Sequence, residues 1–302
     1  MCNQVSIATR DDVIACYRSI LGRDPESEDV IDLRVGRDLW TVVHEISHSV
    51  EHSTKLGRQS CHSFGKFSRS GYLAKSLSSE LRASALIYNY SALRESLRIS
   101  HIIELYEAGL LALPKNPLCP DLSVKAHIYD GVIDEGEIAL VVSLGLQRLA
   151  VCSFTFVNGP EMGIDRETVI LISRIQGYSG RREQINFAQK SLGDITLQHL
   201  LIATLEGIAS AMNIDVVLGV QARNQPSFED SLAEHFLRAY DHFFESLGGT
   251  ETVSGFYRYD LPRIEQPLTA NSGHLSRKRA RRAARRALSQ QACSVWTSYL
   301  ID

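Results

Sequence analysis

Four runs dense in Val, Ile, Leu and Phe follow one another between residues 122 and 177: "LSVKAHIYD", "EGEIALVVSLG", "LQRLAVCSFTFVN" and "ETVILISRIQG". Turn residues separate them, so they read as the strands of an antiparallel meander. An apolar helix, "TLQHLLIATLEGIASAMN" (196–213), and the strand "IDVVLGVQA" (214–222) come next. A further helix, "DSLAEHFLRAYDHFFESLG", and a short aromatic strand, "GFYRYDL", complete the segment. Paired strands with helices set apart from them predict an α+β fold around a mixed sheet.

The chain before this segment is helical. "DDVIACYRSILG" carries an apolar stripe at Val13, Cys16, Tyr17, Ile20 and Leu21, with Asp11 or Asp12 as the expected cap. Residues 73–97 and 99–113 are expected to be helices as well. Between them and the first helices, 53–72 is polar and small and is the best linker. The expected division is therefore a helical module at 1–60 and an α+β domain at 73–302.

Within the first helices, "HEISH" (44–48) fits H-E-x-x-H, the spacing that puts two zinc ligands one helical turn apart. Leu39, Val43, Ile46 and Val50 form the apolar stripe of the same helix. His44, His48 and His52 fall on its other side. The extended zincin pattern needs Gly at 51 and His at 54, where the chain has Glu51 and Thr54. The motif reads as a solvated polar face, no metal ligand is assigned, and a zinc enzyme is kept only as an alternative.

Composition excludes whole classes. The 302 residues are 44% hydrophobic and 22% charged, enough to bury a core. The net charge is −3, so no global field draws the chain to nucleic acid or membrane. No apolar run reaches the ~18 residues of a membrane span. The six cysteines form no C-x-x-C pair, and Cys152, inside an apolar run, reads as a core residue. "MCNQVSIATRDDV" has neither the basic start nor the apolar stretch of a secretory signal, so a cytoplasmic location is expected. Against this mild balance, "SRKRARRAARR" (276–286) holds seven Lys or Arg in eleven residues. This helix is the one place where nucleic acid or an anionic surface would bind. Docking on the protein's own acidic surface is the plainer reading.

Tyr17, Leu21, Gly22, Arg23 and Pro25, with the ending Ser49-Val50-Glu51-His52, resemble the phycobilisome-linker-like helical repeat. That resemblance implies an interaction or spacer module. Residues from about 80 to 295 resemble the VirK/YbjX family through "EGEIAL", "SFTF", "LLIATLEGIASAMNIDVVLGV", "YDHFFESLGG…GFYRYDLP" and the Arg-rich tail, in that order. The chain departs from the family pattern in three places. "SRIQG" (173–177) keeps only Gln-Gly of "GGLQG", "GDITL" (193–197) lacks the basic residue of "GLRPK", and "GVQA" (219–222) replaces "GVSN". The family is linked to bacterial virulence and resistance to antimicrobial peptides, and the resemblance implies no settled reaction.

The order of strands and helices from "VILISRIQG" to "GFYRYDL" is similar to the GNAT acyltransferase core, which makes an acyl- or aminoacyl-transferase acting on a small amine or peptide the expectation. A non-catalytic accessory protein is the alternative. A GNAT enzyme places a Gly-rich pyrophosphate loop directly before its long helix. Here "YSGRREQINFAQKSLGDIT" intervenes, so no cofactor is assigned.

Candidate site residues follow from position. Glu135 and Glu137 flank Gly136 at the start of a strand, and alternation would put both carboxylates on one face for acid–base work. Arg174 and Gln176 share one side of "LISRIQG", Arg181 follows in the loop, and Gln221 and Asn224 follow "VVLGV". These are the expected substrate-binding groups, at the crevice that the GNAT-like resemblance implies between "LISRIQG" and "VVLGVQA", two neighbouring parallel strands that splay apart in such a core. Tyr257, on the aromatic strand, is the expected proton donor.

Overall fold

The computed structural model describes residues 7–21, 23–47, 49, 71–128, 135–263 and 272–301. The chain opens with helix α1 (Arg10–Cys16), which widens into a π-turn at Tyr17–Leu21 and is followed by α2 (Glu28–Asp32) and α3 (Leu39–Ser47). Thr9, rather than Asp11 or Asp12, caps α1. Its hydroxyl accepts from the Asp12 N–H, and the Asp12 carboxylate accepts from the Thr9 N–H at 2.9 Å. The stripe Val13, Cys16, Tyr17, Ile20 and Leu21 is buried, as are Val43 and Ile46 of α3. Val50, His52 and the side chains of His44 and His48 lie outside the described residues.

Tyr72, at the end of the stretch expected to be a linker, is fully buried. Helices α4 (Ser79–Ser96) and α5 (Ile99–Glu107) follow, α4 capped by the Ser78 hydroxyl. The sequence pattern would run α5 on to residue 113. Gly109 stops it by turning left-handed (φ +75°), with the His127 ring filling the space a side chain would need. The chain leaves as the short strand β1 (Leu110–Leu111).

The four apolar runs become β2 (Leu122–Ile128), β3 (Ile138–Leu144), β4 (Gln147–Asn158) and β5 (Thr168–Gly177). After β5 come α6 (Arg182–Ser191), α7 (Leu197–Ala211) and β6 (Val216–Val220). Then follow α8 (Ala233–Ala239), α9 (Asp241–Ser246), β7 (Thr250–Glu251), β8 (Phe256–Asp260) and the basic helix α10 (Ser272–Thr297). Helix α6 occupies a stretch that pattern alone reads as loop. It is mostly polar and buries little beyond Ala188.

Among the described residues the strands form one eight-stranded sheet in the order β1-β2-β3-β4-β5-β6-β8-β7. The neighbours pair antiparallel except β5 and β6, which are parallel because α7 crosses between them. The fold is α+β with a mixed sheet. Cys152 is buried in it, and burial pushes its thiol up to about 12.

Helix α7 is apolar nearly all round because it lies between the sheet and α10. Gly207 permits the close approach: a Cβ there would sit 2.3 Å from the Ser289 carbonyl oxygen. Ala292 and Trp296 anchor the far end of α10 in the core, while its arginine-rich first half stays at the surface. No helix among the described residues is long and apolar enough to cross a membrane.

Candidate functional site

The parallel pair β5 and β6 stays in register through Ile170–Val217, Leu171–Leu218 and Ile172–Gly219. Beyond that point β6 ends at Val220, and β5 runs on to Gly177 against β4 alone. The two parallel strands therefore part company at their C-terminal ends. At the same level the β4–β5 register shifts. Ile172 pairs with Phe154 and Arg174 with Ser153, leaving Ser173 as the extra residue of a bulge. The bulge carries Arg174 onto the side of Ser153.

Residues 135–137 cross β4 on that side. Gly136 adopts φ +123°, and a Cβ on it would lie 3.0 Å from the Phe154 nitrogen and 3.1 Å from the Ser153 carbonyl carbon. Only glycine combines that dihedral with that approach. On either side of it the two glutamates diverge, so the expected carboxylate pair on one face does not form. Each has its own partners.

Glu135 Oε2 lies 3.0 Å from Arg174 Nε, with side-chain exposures of 12% and 9%. The Ser227 hydroxyl donates to Glu135 Oε1 at 3.2 Å. The Gln176 amide, its oxygen turned toward the guanidinium, accepts from Arg174 Nε at 2.7 Å. Tyr240, buried at the break between α8 and α9, completes the group. Burial raises its phenol above the ordinary range, the Glu135 charge adds to this, and Arg174 and the Ile175 backbone oppose it.

Glu137 is 1% exposed. The Tyr72 hydroxyl donates to its Oε1 at 2.6 Å and the Tyr90 hydroxyl to its Oε2 at 2.7 Å. Its own N–H donates to the Thr155 hydroxyl and the Phe154 carbonyl, both at 3.2 Å. Burial holds the Tyr90 phenol well above its usual range, and the Glu137 charge reinforces it. Two phenol hydrogen bonds to one buried carboxylate are of the strong, charge-assisted kind.

The other expected site residues sit elsewhere. Tyr257 stacks on Phe244 (6.0 Å between ring centroids) and donates to Glu251 Oε1 at 3.0 Å. Burial raises its phenol first, and the Glu251 hydrogen bond second. Gln221 follows the end of β6, its N–H on the Gly255 carbonyl (3.4 Å) and its carbonyl accepting from Asn224 (2.9 Å). The Asn224 amide donates to the Gly255 carbonyl at 3.1 Å and so braces a turn. Arg181 precedes α6 as its exposed N-cap residue. The structure thus gathers Glu135, Arg174 and Gln176, places Glu137 in an adjoining phenol pocket, and sets Tyr257, Gln221, Asn224 and Arg181 apart.

Pattern reading missed Tyr72, Tyr90, Ser227, Tyr240 and Gln225. Tyr240 was within reach, because it opens the "YDHFFESLGG" stretch. The rest had no local signal. Gln225 is wholly buried, and its Nε2 donates to the Val220 carbonyl at 3.1 Å, where β6 still pairs with β8 but no longer with β5.

Chemically, the Glu135 group sets a carboxylate acceptor beside guanidinium and amide donors at a strand divergence. Such a combination has the chemistry to accept a proton from an amine and to hold a developing oxyanion. A family model described as "Protein of unknown function (DUF535)" matches residues 42–292. No curated protein and no solved structure matches the chain.

Proposed function

The chain belongs to the DUF535 family, and on that premise we propose that it is an acyl- or aminoacyl-transferase-like protein of the VirK/YbjX type that acts on a small amine or peptide. The observation that carries the reading is the parting of the parallel strands β5 and β6 beyond Ile172–Gly219, with Glu135, Arg174, Gln176, Ser227 and Tyr240 gathered beside it. The strand order, with α7 as the crossover between the two parallel strands, supports a GNAT-like core. In this reading Glu135 takes the proton of the attacking amine, Arg174 and Gln176 face the developing oxyanion, and as the intermediate collapses the donor's C–S bond breaks and the proton passes from Glu135 to the leaving thiolate. Glu137, tied to Tyr72 and Tyr90, fixes the strand start that presents Glu135. Tyr257, Arg181, Gln221 and Asn224 are given no reacting role. Helix α6 takes the place of a compact pyrophosphate loop, so the acyl donor in this proposal is not acetyl-CoA. The N-terminal helices are read as a linker-like spacer, and the location as cytoplasmic.

One observation favours a second reading, a non-catalytic accessory protein in envelope stress or virulence. The crevice is occupied by the chain's own groups: Gln225 satisfies Val220, and the Glu135–Arg174 pair is nearly buried.

Mass spectrometry of short peptides and polyamines incubated with acyl and aminoacyl thioesters separates the two. The transferase reading expects acylated product from the wild type and at least about 100-fold less from Glu135→Gln, the loss typical of a missing general base. Absence of product across the panel from folded wild-type protein favours the accessory role.

A further inference from the structure

Two clefts meet along α10. The first, about 320 Å³, is lined by Asp194, Thr196 and His199 and by Lys278, Arg281, Arg282 and Arg285 of the basic helix. The second, about 310 Å³, is lined by Leu122, Val124, Leu192 and Leu200 below and by Ala284, Ala287 and Leu288 of the same helix above. Ile195 lines both, so the two share a wall. The division follows helical spacing. Positions 278, 281–282 and 285 form one stripe of α10, and 284, 287–288 and 291 the next. A cationic opening and an apolar slot thus run side by side under one helix.

The charge of the first cleft is lopsided. Among the described residues its lining holds four basic side chains and one carboxylate, Asp194, which is 66% exposed and lies 3.6 Å from Arg281. Burial, and then the charges of Arg285 and Arg263, lower His199 to about 4, so the imidazole adds no charge of its own at neutral pH. The second cleft opens beside Leu118, which is 81% exposed. Apolar walls open to water, next to an excess of cations, fit a ligand that is apolar at one end and anionic at the other. A bilayer presents a broad face, whereas this slot is walled on both sides by α10 and β2 and is sized for one chain.

We propose that α10, α7 and β2 form a binding site for a monomeric, single-chain amphiphile with an anionic headgroup, the headgroup against Lys278 and Arg281 and the alkyl chain beneath Ala284 and Leu288. The inference goes beyond the transferase reading and holds whether or not the β5–β6 crevice is catalytic.

Calorimetric titration of the full chain tests it. The probes are dodecyl phosphate below its micelle concentration, dodecanol, methyl phosphate, anionic phospholipid vesicles and a short single-stranded RNA. Dodecyl phosphate is expected to bind one per chain, at least about tenfold more tightly than dodecanol or methyl phosphate. Lys278→Gln with Arg281→Gln should weaken dodecyl phosphate by about tenfold and leave dodecanol unchanged. Ala284→Trp should block both alkyl ligands, with circular dichroism showing the fold retained. A second slot variant, Ala287→Trp, serves if the first does not fold. Equal affinity for methyl phosphate and dodecyl phosphate, binding of vesicles or RNA alone, or no response to either class of variant would overturn the proposal.

Discussion

Gly136 illustrates how one residue positions a site. Its side-chain-free crossing of β4 sends Glu135 one way and Glu137 the other, and a Cβ there would crowd the Ser153–Phe154 backbone at 3.0–3.1 Å. Gly136→Ala should cost roughly 1–3 kcal/mol from the positive φ and the crowding together. The expected outcome is a lower melting temperature and loss of whatever activity Glu135 supports, even though no ionisable group is touched. A variant that melts like the wild type would show that the crossing tolerates a side chain. The Glu135–Arg174 pair is a weaker argument for stability, since burying two charges offsets much of what their attraction returns. Its value lies in holding a carboxylate in one orientation.

At the scale of elements, the α7–α10 contact governs the surface chemistry. Gly207 brings the helices together, and the first turn of α7 then lies beneath the arginines. His199, half-buried there, is hydrogen-bonded to the Thr196 hydroxyl at 2.7 Å and packs edge-on to Phe243. Burial and the neighbouring cations lower its titration from 6.5 to about 4. The unfolded chain therefore takes up a proton in that interval that the folded chain refuses. Its stabilising contribution is complete above about 6.5 and is lost as pH falls toward 4. Thermal melts across this range should show His199→Gln losing less stability on acidification than the wild type. Parallel curves would mean that His199 does not titrate as placed.

For the whole molecule, the question is whether the first helices and the sheet are one unit. The apolar cluster is continuous from Val13 to Trp296, and α1 and its π-turn pack on α4. Yet the junction is open: a cleft of about 780 Å³ lies between Asp11, Arg18 and Asp24 on one side and Ser91, Arg94 and Glu95 on the other. The sheet and its covering helices lie wholly after residue 71. We therefore expect a chain starting at Gly71 to melt cooperatively, at a lower temperature than the full chain. Aggregation, or a melt without a transition, would join the first helices to the core. Tyr72 must be retained, because it donates to Glu137.

The order of β2 to β6, the apolar helix α7 and the burial of Cys152 were legible in the sequence, because periodicity and β-branched runs are local and act within a few residues. Arg174 and Gln176 were also legible, as polar groups toward the end of an apolar strand, and Glu135 as an acid just before another, though not its separation from Glu137. What local pattern does not carry is register. The bulge at Ser173, the divergence of Glu135 and Glu137 around Gly136, and the phenols of Tyr72 and Tyr90, 65 and 47 residues from Glu137, come from strand pairing and packing across the chain. Helix α6 escaped pattern reading because it buries so little, and β1 because two residues have no period. The basic run of α10 was plain in the sequence. Only its docking on α7 set those charges beside an apolar slot, because the match of Gly207 to Ser289 and Ala292 joins residues more than eighty positions apart.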